Sequence, residues 1–217
     1  RVSTTTKFNE TYLLKGDDSA KVTGAADGKV DGTDGDATKQ SALTIDLSKL
    51  TATEGKSDIT VGVGGKSYSV TVEKGDDATA IGDKIAAAMN VDPIVDKTGG
   101  KFTAANNKGT ITLTAAEKGE TELKKDADVT VKASGILTLD LHVGADSTAD
   151  NQISVDIKQM SASVLGLKTG KSTTTAAEKD TLLVNGSNDD NARKAIDTIA
   201  SALQEVSKQR SALGAAQ

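Results

Sequence analysis

The sequence predicts an α+β chain in which short β-hairpins and a short helix form an insert and a long amphipathic helix follows. Three observations predict it. Apolar residues alternate with a period of two through much of residues 42–157. The spacing changes to steps of three and four at 78–90 and again from Asp189 to Arg210. Glycine, asparagine and aspartate separate the strand-like runs. Aromatics are only 2% of the 217 residues, so the core must be built from Val, Ile, Leu and Ala. That favours thin, elongated modules in a multi-domain chain over one thick core.

In chain order, residues 1–14 (RVSTTTKFNETYLL) end in the apolar cluster Phe8, Tyr12, Leu13 and Leu14, which is too short a segment to bury itself. Residues 15–40 are rich in Gly, Asp, Ala, Lys and Thr and read as loop with one short strand. Leu43, Ile45 and Leu47 alternate, as do Ile59, Val61 and Val63, then Tyr68, Val70 and Val72. The last two runs, joined through Gly64 and Gly65, predict a hairpin. In ATAIGDKIAAAMN, residues Ile81, Ile85, Ala88 and Met89 share one helical face. KFTAA, GTITLTA and DVTVKA supply further strands, with a turn at Asn106–Gly109 between the first two. Leu137, Leu139, Leu141 and Val143 alternate again and face a second run, Ile153, Val155 and Ile157, across a polar turn. From Asp189 to Arg210, Ala192, Ile196, Ile199, Leu203 and Val206 step by four and three, and Arg210 and Leu213 continue the step. Asn188 or Asp189 suits the cap of this helix. A four-three seam packs lengthwise against another helix, yet no other segment here has matching length. The patterns running into both ends read as those of a fragment whose partner helix lies upstream or in another molecule.

Charge and composition exclude several function classes. A formal charge of −5 without a basic patch argues against nucleic acid, and no apolar run is long enough to span a membrane. Gly-Lys-Ser occurs at Gly55, Gly65 and Gly170, but a phosphate-binding loop needs a glycine five positions earlier, where Leu50, Thr60 and Leu165 stand. The acidic run Asp27, Asp31, Asp34 and Asp36 lacks the regular spacing and closing glutamate of a calcium loop and reads as solvated. His142 is the only histidine and cysteine is absent, so neither a zinc site nor a nucleophilic triad can be assembled. No cofactor is expected, and the chain is not expected to be an enzyme.

Three segments together resemble bacterial flagellin. STTTKFNETYLL (Ser3–Leu14) resembles the end of the family's N-terminal region. LDLHVGADSTADNQISVDIKQMSASVLGL (Leu139–Leu167) resembles the signature in which VGA, ISVDI, a methionine and LGL recur in order. AIDTIASALQEVSKQRSALGAAQ (Ala195–Gln217) resembles the family's C-terminal core helix. Between them, Ile59–Thr114 resembles the β–β–α–β module of flagellin outer domains, with Met89-Asn90 where the module has Ile-Asn. The resemblance implies a secreted structural subunit that self-assembles into the extracellular flagellar filament and supports motility. It implies a partial core domain from 1–16 and 135–217, an inserted outer domain at 17–134, and no terminal helical domain. Core-helix packing would then fall to Ala192, Ile196, Ile199, Leu203 and Val206. Gln209, Arg210 and Leu213 would face other subunits or a host Toll-like receptor of innate immune recognition. Other implied partners are further flagellin subunits, an export chaperone and the cap protein, while the isolated chain is expected to be monomeric. A hook-associated or cap protein is the nearest alternative, and a calcium-dependent cell-surface module using the acidic run is the alternative of another class.

Overall fold

The computed structural model describes residues 7–8, 11–12, 22–24, 30–96, 99–121, 123, 129–143, 151–162, 164–165, 167, 184 and 189–215. Strands β1 (Lys7–Phe8) and β2 (Thr11–Tyr12) pair antiparallel. Leu13 and Leu14 of the first apolar cluster lie outside the described residues, as do most of 168–188. β3 (Val22–Thr23) precedes β4 (Val30–Thr33) and β5 (Gln40–Asp46). Then follow β6 (Thr51–Ala52), which pairs with β3, and the hairpin of β7 (Lys56–Val63) and β8 (Lys66–Glu73). Helix α1 (Ala78–Val91) leads to β9 (Phe102–Asn107), β10 (Thr110–Lys118) and β11 (Val129–Gly135). A separate hairpin, β12 (Leu137–His142) and β13 (Gln152–Ile157), precedes helix α2 (Asp190–Ala215). The class is α+β, with every described strand pairing antiparallel.

Two sheets enclose the core. One has the order β4-β5-β10-β9 and the other β11-β7-β8. Alternation sets the inward faces: Leu43 and Ile45 of β5 stand opposite Leu113 and Ile111 of β10, and Ile59 and Val61 of β7 opposite Val70 and Tyr68 of β8. Leu43, Ile45, Ile59, Val61, Val72 and Ile111 are wholly buried. Helix α1 packs against β8 and β9, bridging an edge strand of each sheet. It starts because the Asp77 carboxylate accepts the Ala80 N–H at 2.9 Å, satisfying one of the unpaired first-turn donors. It buries Ile81, Gly82, Ile85, Ala86 and Met89, the face expected from their spacing. The β7–β8 turn is Gly64-Gly65 with φ of 60° and 82°, the left-handed pair that a two-residue hairpin turn demands.

Two features of residues 15–40 and 189–210 depart from expectation. The first stretch carries two strands, and β4 extends the main sheet because its backbone finds partners on β5, from Val30↔Ile45 to Thr33↔Ala42. The long helix runs five residues past Arg210, through Ser211–Ala215, none of which breaks a helix except the tolerated Gly214.

Every residue of the main buried cluster lies between Leu43 and Val129. Helix α2 and the β12–β13 hairpin contribute none of it, and they sit on this body through different contacts.

Candidate assembly surface

Helix α2 carries two seams offset by one residue, about 100° around the axis. The inner seam is Ala195, Thr198, Ala202, Glu205 and Gln209, of which all but Glu205 are buried. It docks on the β7–β8 turn and the end of β13. There the Thr198 hydroxyl shares its proton between the carbonyls of Gly65 at 2.7 Å and Lys194 at 2.8 Å. A Cβ on Gly65 would lie 3.0 Å from the Lys194 Cα, so the turn and the helix touch backbone to backbone.

The outer seam is the four-three stripe read from the sequence. Ile196, Ile199 and Leu203 are 66%, 44% and 64% exposed, and Ala192 and Val206 are half-buried. Arg210 is exposed and Leu213 half-buried at its far end. Gln209, expected beside them, is turned the other way: it is 7% exposed, and its Nε2 donates to the Asp156 carbonyl at 3.0 Å. The reason is geometric, since 209 falls on the inner seam one residue out of step with 206, 210 and 213.

The β12–β13 hairpin is buried at one end and exposed at the other. Its register pairs Leu139 with Val155 and Leu141 with Ile153 on one face, and Thr138 with Asp156 and Asp140 with Ser154 on the other. Both faces are held at the end nearest the body: Ile157 on the apolar face is 5% exposed, and Asp156 on the polar face meets the Lys56 ammonium at 2.6 Å and the Thr138 hydroxyl at 2.7 Å. Burial pushes the Asp156 carboxyl up, but the hydrogen bonds from Lys56 and Thr138 outweigh it and leave the group below the usual carboxylate range. The Lys56 ammonium is correspondingly held above its usual value by that bond. On the apolar face Leu141 and Ile153, with Val143 just beyond β12, remain 39%, 42% and 62% exposed.

A third contact is not legible in the sequence. Lys158, just past β13, reaches Asp58 of β7 at 2.9 Å and Glu205 of α2 at 3.2 Å. Asp58 and Thr60, two residues apart on one face of β7, are the local signs that this strand has a polar side.

The other candidates resolve as structural. Lys56 and Lys66 of the first two Gly-Lys-Ser triplets are engaged, the second with Asp92 and the Pro93 carbonyl; Gly170 lies outside the described residues. Asp31 accepts the Gly32 N–H, and Asp36 accepts from the backbone and hydroxyl of Thr38 and from the Lys39 N–H, closing a turn. Asp27 lies outside the described residues. Among the described residues no group of three or more His, Cys, Asp or Glu is placed to hold a metal ion, and no helix is long and apolar enough to cross a membrane. His142 is exposed on the hairpin. Comparison with protein-family models and with curated proteins returns no match to the chain.

Proposed function

We propose that this chain is a non-enzymatic structural subunit of a bacterial flagellar filament, acting outside the cell through its surfaces. The observation that carries the reading is the allocation of faces on α2. The fold docks this helix through alanine, threonine and glutamine and leaves its isoleucine and leucine stripe outward. Such a stripe is the seam of a lengthwise helix pair. Covering three side chains exposed by 66%, 44% and 64% is worth about 3–5 kcal/mol, a contribution that suits a chain acting in a helical array. The far end of the hairpin leaves Leu141, Val143 and Ile153 exposed as a candidate lateral contact between subunits, with Arg210 and Leu213 as further contacts on α2. The sequence resemblance to flagellin supports the same reading.

The proposed division has residues 17–134 as an outward insert and 1–16 with 135–217 as a partial core domain. Its support is that the main buried cluster is confined to Leu43–Val129. The partners proposed are other filament subunits, with an export chaperone, the cap protein and a host Toll-like receptor entering through the family resemblance.

The test is immunoelectron microscopy of the source bacterium with antibodies raised against this chain. Label along the whole flagellar filament is expected. Label confined to the filament tip or hook junction would assign the chain to a cap or hook-associated protein, and label on the cell body alone would remove the flagellar reading.

A further inference from the structure

The contacts that α2 makes with the rest of the chain combine small buried methyls with directional polar groups. The inner seam supplies two alanine methyls, a threonine hydroxyl, a carboxylate and an amide. The body answers with the Gly65 turn carbonyl, and β13 and the residue after it with the Asp156 carbonyl and the Lys158 ammonium. No side chain of α2 enters the main buried cluster. At the centre is Lys158, whose ammonium bridges Asp58 and Glu205. The Asp58 side chain is 3% exposed and also accepts the Thr71 hydroxyl at 2.8 Å, so this end of the bridge is fixed in β7. The Glu205 end is 21% exposed and belongs to the helix. Burial alone would push the Lys158 ammonium toward its neutral form, but the two carboxylates more than offset this and hold it charged.

We propose that Lys158, with Thr198 on Gly65, forms a releasable clasp that sets the angle between α2 and the β-rich body. When the clasp opens, the helix swings while the body stays folded. A directional, polar joint fixes orientation without the large apolar burial that would merge two units into one cooperative core. Its charged half is partly buried, with Lys158 24% and Glu205 21% exposed, so salt screens it much less than a surface pair. The clasp is independent of the flagellar reading, because it rests only on contacts within one chain.

The chain has no cysteine, so Glu117→Cys and Ser207→Cys, both at exposed positions, place a spin label on the body and one on α2. Double electron–electron resonance on the full chain reads the distance between them. A single narrow distance is expected at low salt. Glu205→Gln combined with Thr198→Ala, which leaves the buried Asp58–Lys158 pair intact, should broaden it or add a longer population. The urea midpoint of the body, followed through tyrosine fluorescence in a Tyr12→Phe background so that Tyr68 alone reports, should stay in place. Lys158→Met should free the helix further, but it strands the Asp58 carboxylate in the interior, so the double variant is the deciding one. An unchanged narrow distance in that variant would overturn the clasp. Loss of the distance only together with unfolding of the body would also overturn it, because α2 would then be integral to the core.

Discussion

Replacing Asn90 with alanine removes a side chain that acts as a strand. Its carboxamide Nδ2 donates to the Ala104 carbonyl at 2.9 Å and its Oδ1 accepts the Ala104 N–H at 2.8 Å. Among the described residues β9 is an edge strand paired only with β10, so Asn90 occupies both outward backbone groups of Ala104, which is 8% exposed. A buried backbone group left unpaired costs about 1–3 kcal/mol. Asn90 itself is exposed, so water reaches one side of the site and the low end applies, about 1 kcal/mol for each group. The better helix propensity of alanine returns about 0.5 kcal/mol. The net expectation is a loss of about 1.5 kcal/mol, which with a urea slope of about 2 kcal/mol per molar moves the midpoint down by about 0.7 M. Asn90→Asp is the diagnostic companion. As a carboxylate it keeps the acceptor and loses the donor. Once protonated, below about pH 4, it can donate again, so its deficit should shrink in acid while that of Asn90→Ala does not. An alanine variant within about 0.3 kcal/mol of the parent would mean that water substitutes for the amide, and the strand-mimic argument would fail.

Leu203→Asp separates assembly from folding. At 64% exposure the isolated chain should keep its stability within about 0.5 kcal/mol, while the same change in the source bacterium should abolish filaments; normal filaments by electron microscopy would refute the seam. Gly82→Ala should destabilise despite its helical position. A Cβ there would fall 2.3 Å from the Asn106 Oδ1, an atom held by the Gly109 N–H while its Nδ2 bonds Thr79 and Asp83. Overpacking of about 1–3 kcal/mol outweighs the helix-propensity gain of about 0.5–1 kcal/mol, as thermal melting would show. Asp156 has its pKa lowered in the fold, so its contribution is present above the ordinary carboxylate value and is lost as pH falls through the folded one. Hydrogen-exchange protection of β12 and β13, taken relative to the intrinsic exchange rate at each pH, should therefore fall below about pH 4, and Asp156→Asn should flatten that dependence.

What the sequence discloses follows from which forces are local. Period-two alternation and a Gly-Gly turn locate β7 and β8 because a strand with one buried face must alternate and a two-residue turn needs left-handed backbone. The spacing of Ile81, Ile85 and Met89 locates α1 for the equivalent reason. β4 is hidden because Val-Asp-Gly-Thr has no alternation to read; its placement comes from β5 offering an edge. Gln209 is hidden because the large apolar residues of α2 mark only the outer seam. The docking face of α2 is made of alanine, threonine, glutamate and glutamine, which look like a solvated face until their partners are known. Lys158 carries no local signal at all, since its partners lie on β7 and α2, far away in sequence.

The two faces of α2 also have different energetic scales. Burying the methyls of Ala195 and Ala202 is worth about 1.5 kcal/mol in transfer terms, and each neutral hydrogen bond at the joint adds about 1 kcal/mol. The outward stripe would gain about 3–5 kcal/mol on being covered. The helix is therefore held to its own chain about as strongly as a second helix would hold it through the stripe. Because the two faces lie about 100° apart, both can be occupied at once. A partner on the stripe then adds to the intramolecular joint without competing with it. Substitutions on the inner seam should change the angle of α2 and spare pairing through the stripe, whereas substitutions on the stripe should abolish pairing and spare the angle. Leu203→Asp and the Glu205→Gln, Thr198→Ala pair test the two halves of that statement separately. A Leu203→Asp chain whose label-to-label distance broadened as it does in the inner-seam variant would show that the faces are coupled and that the separation is wrong.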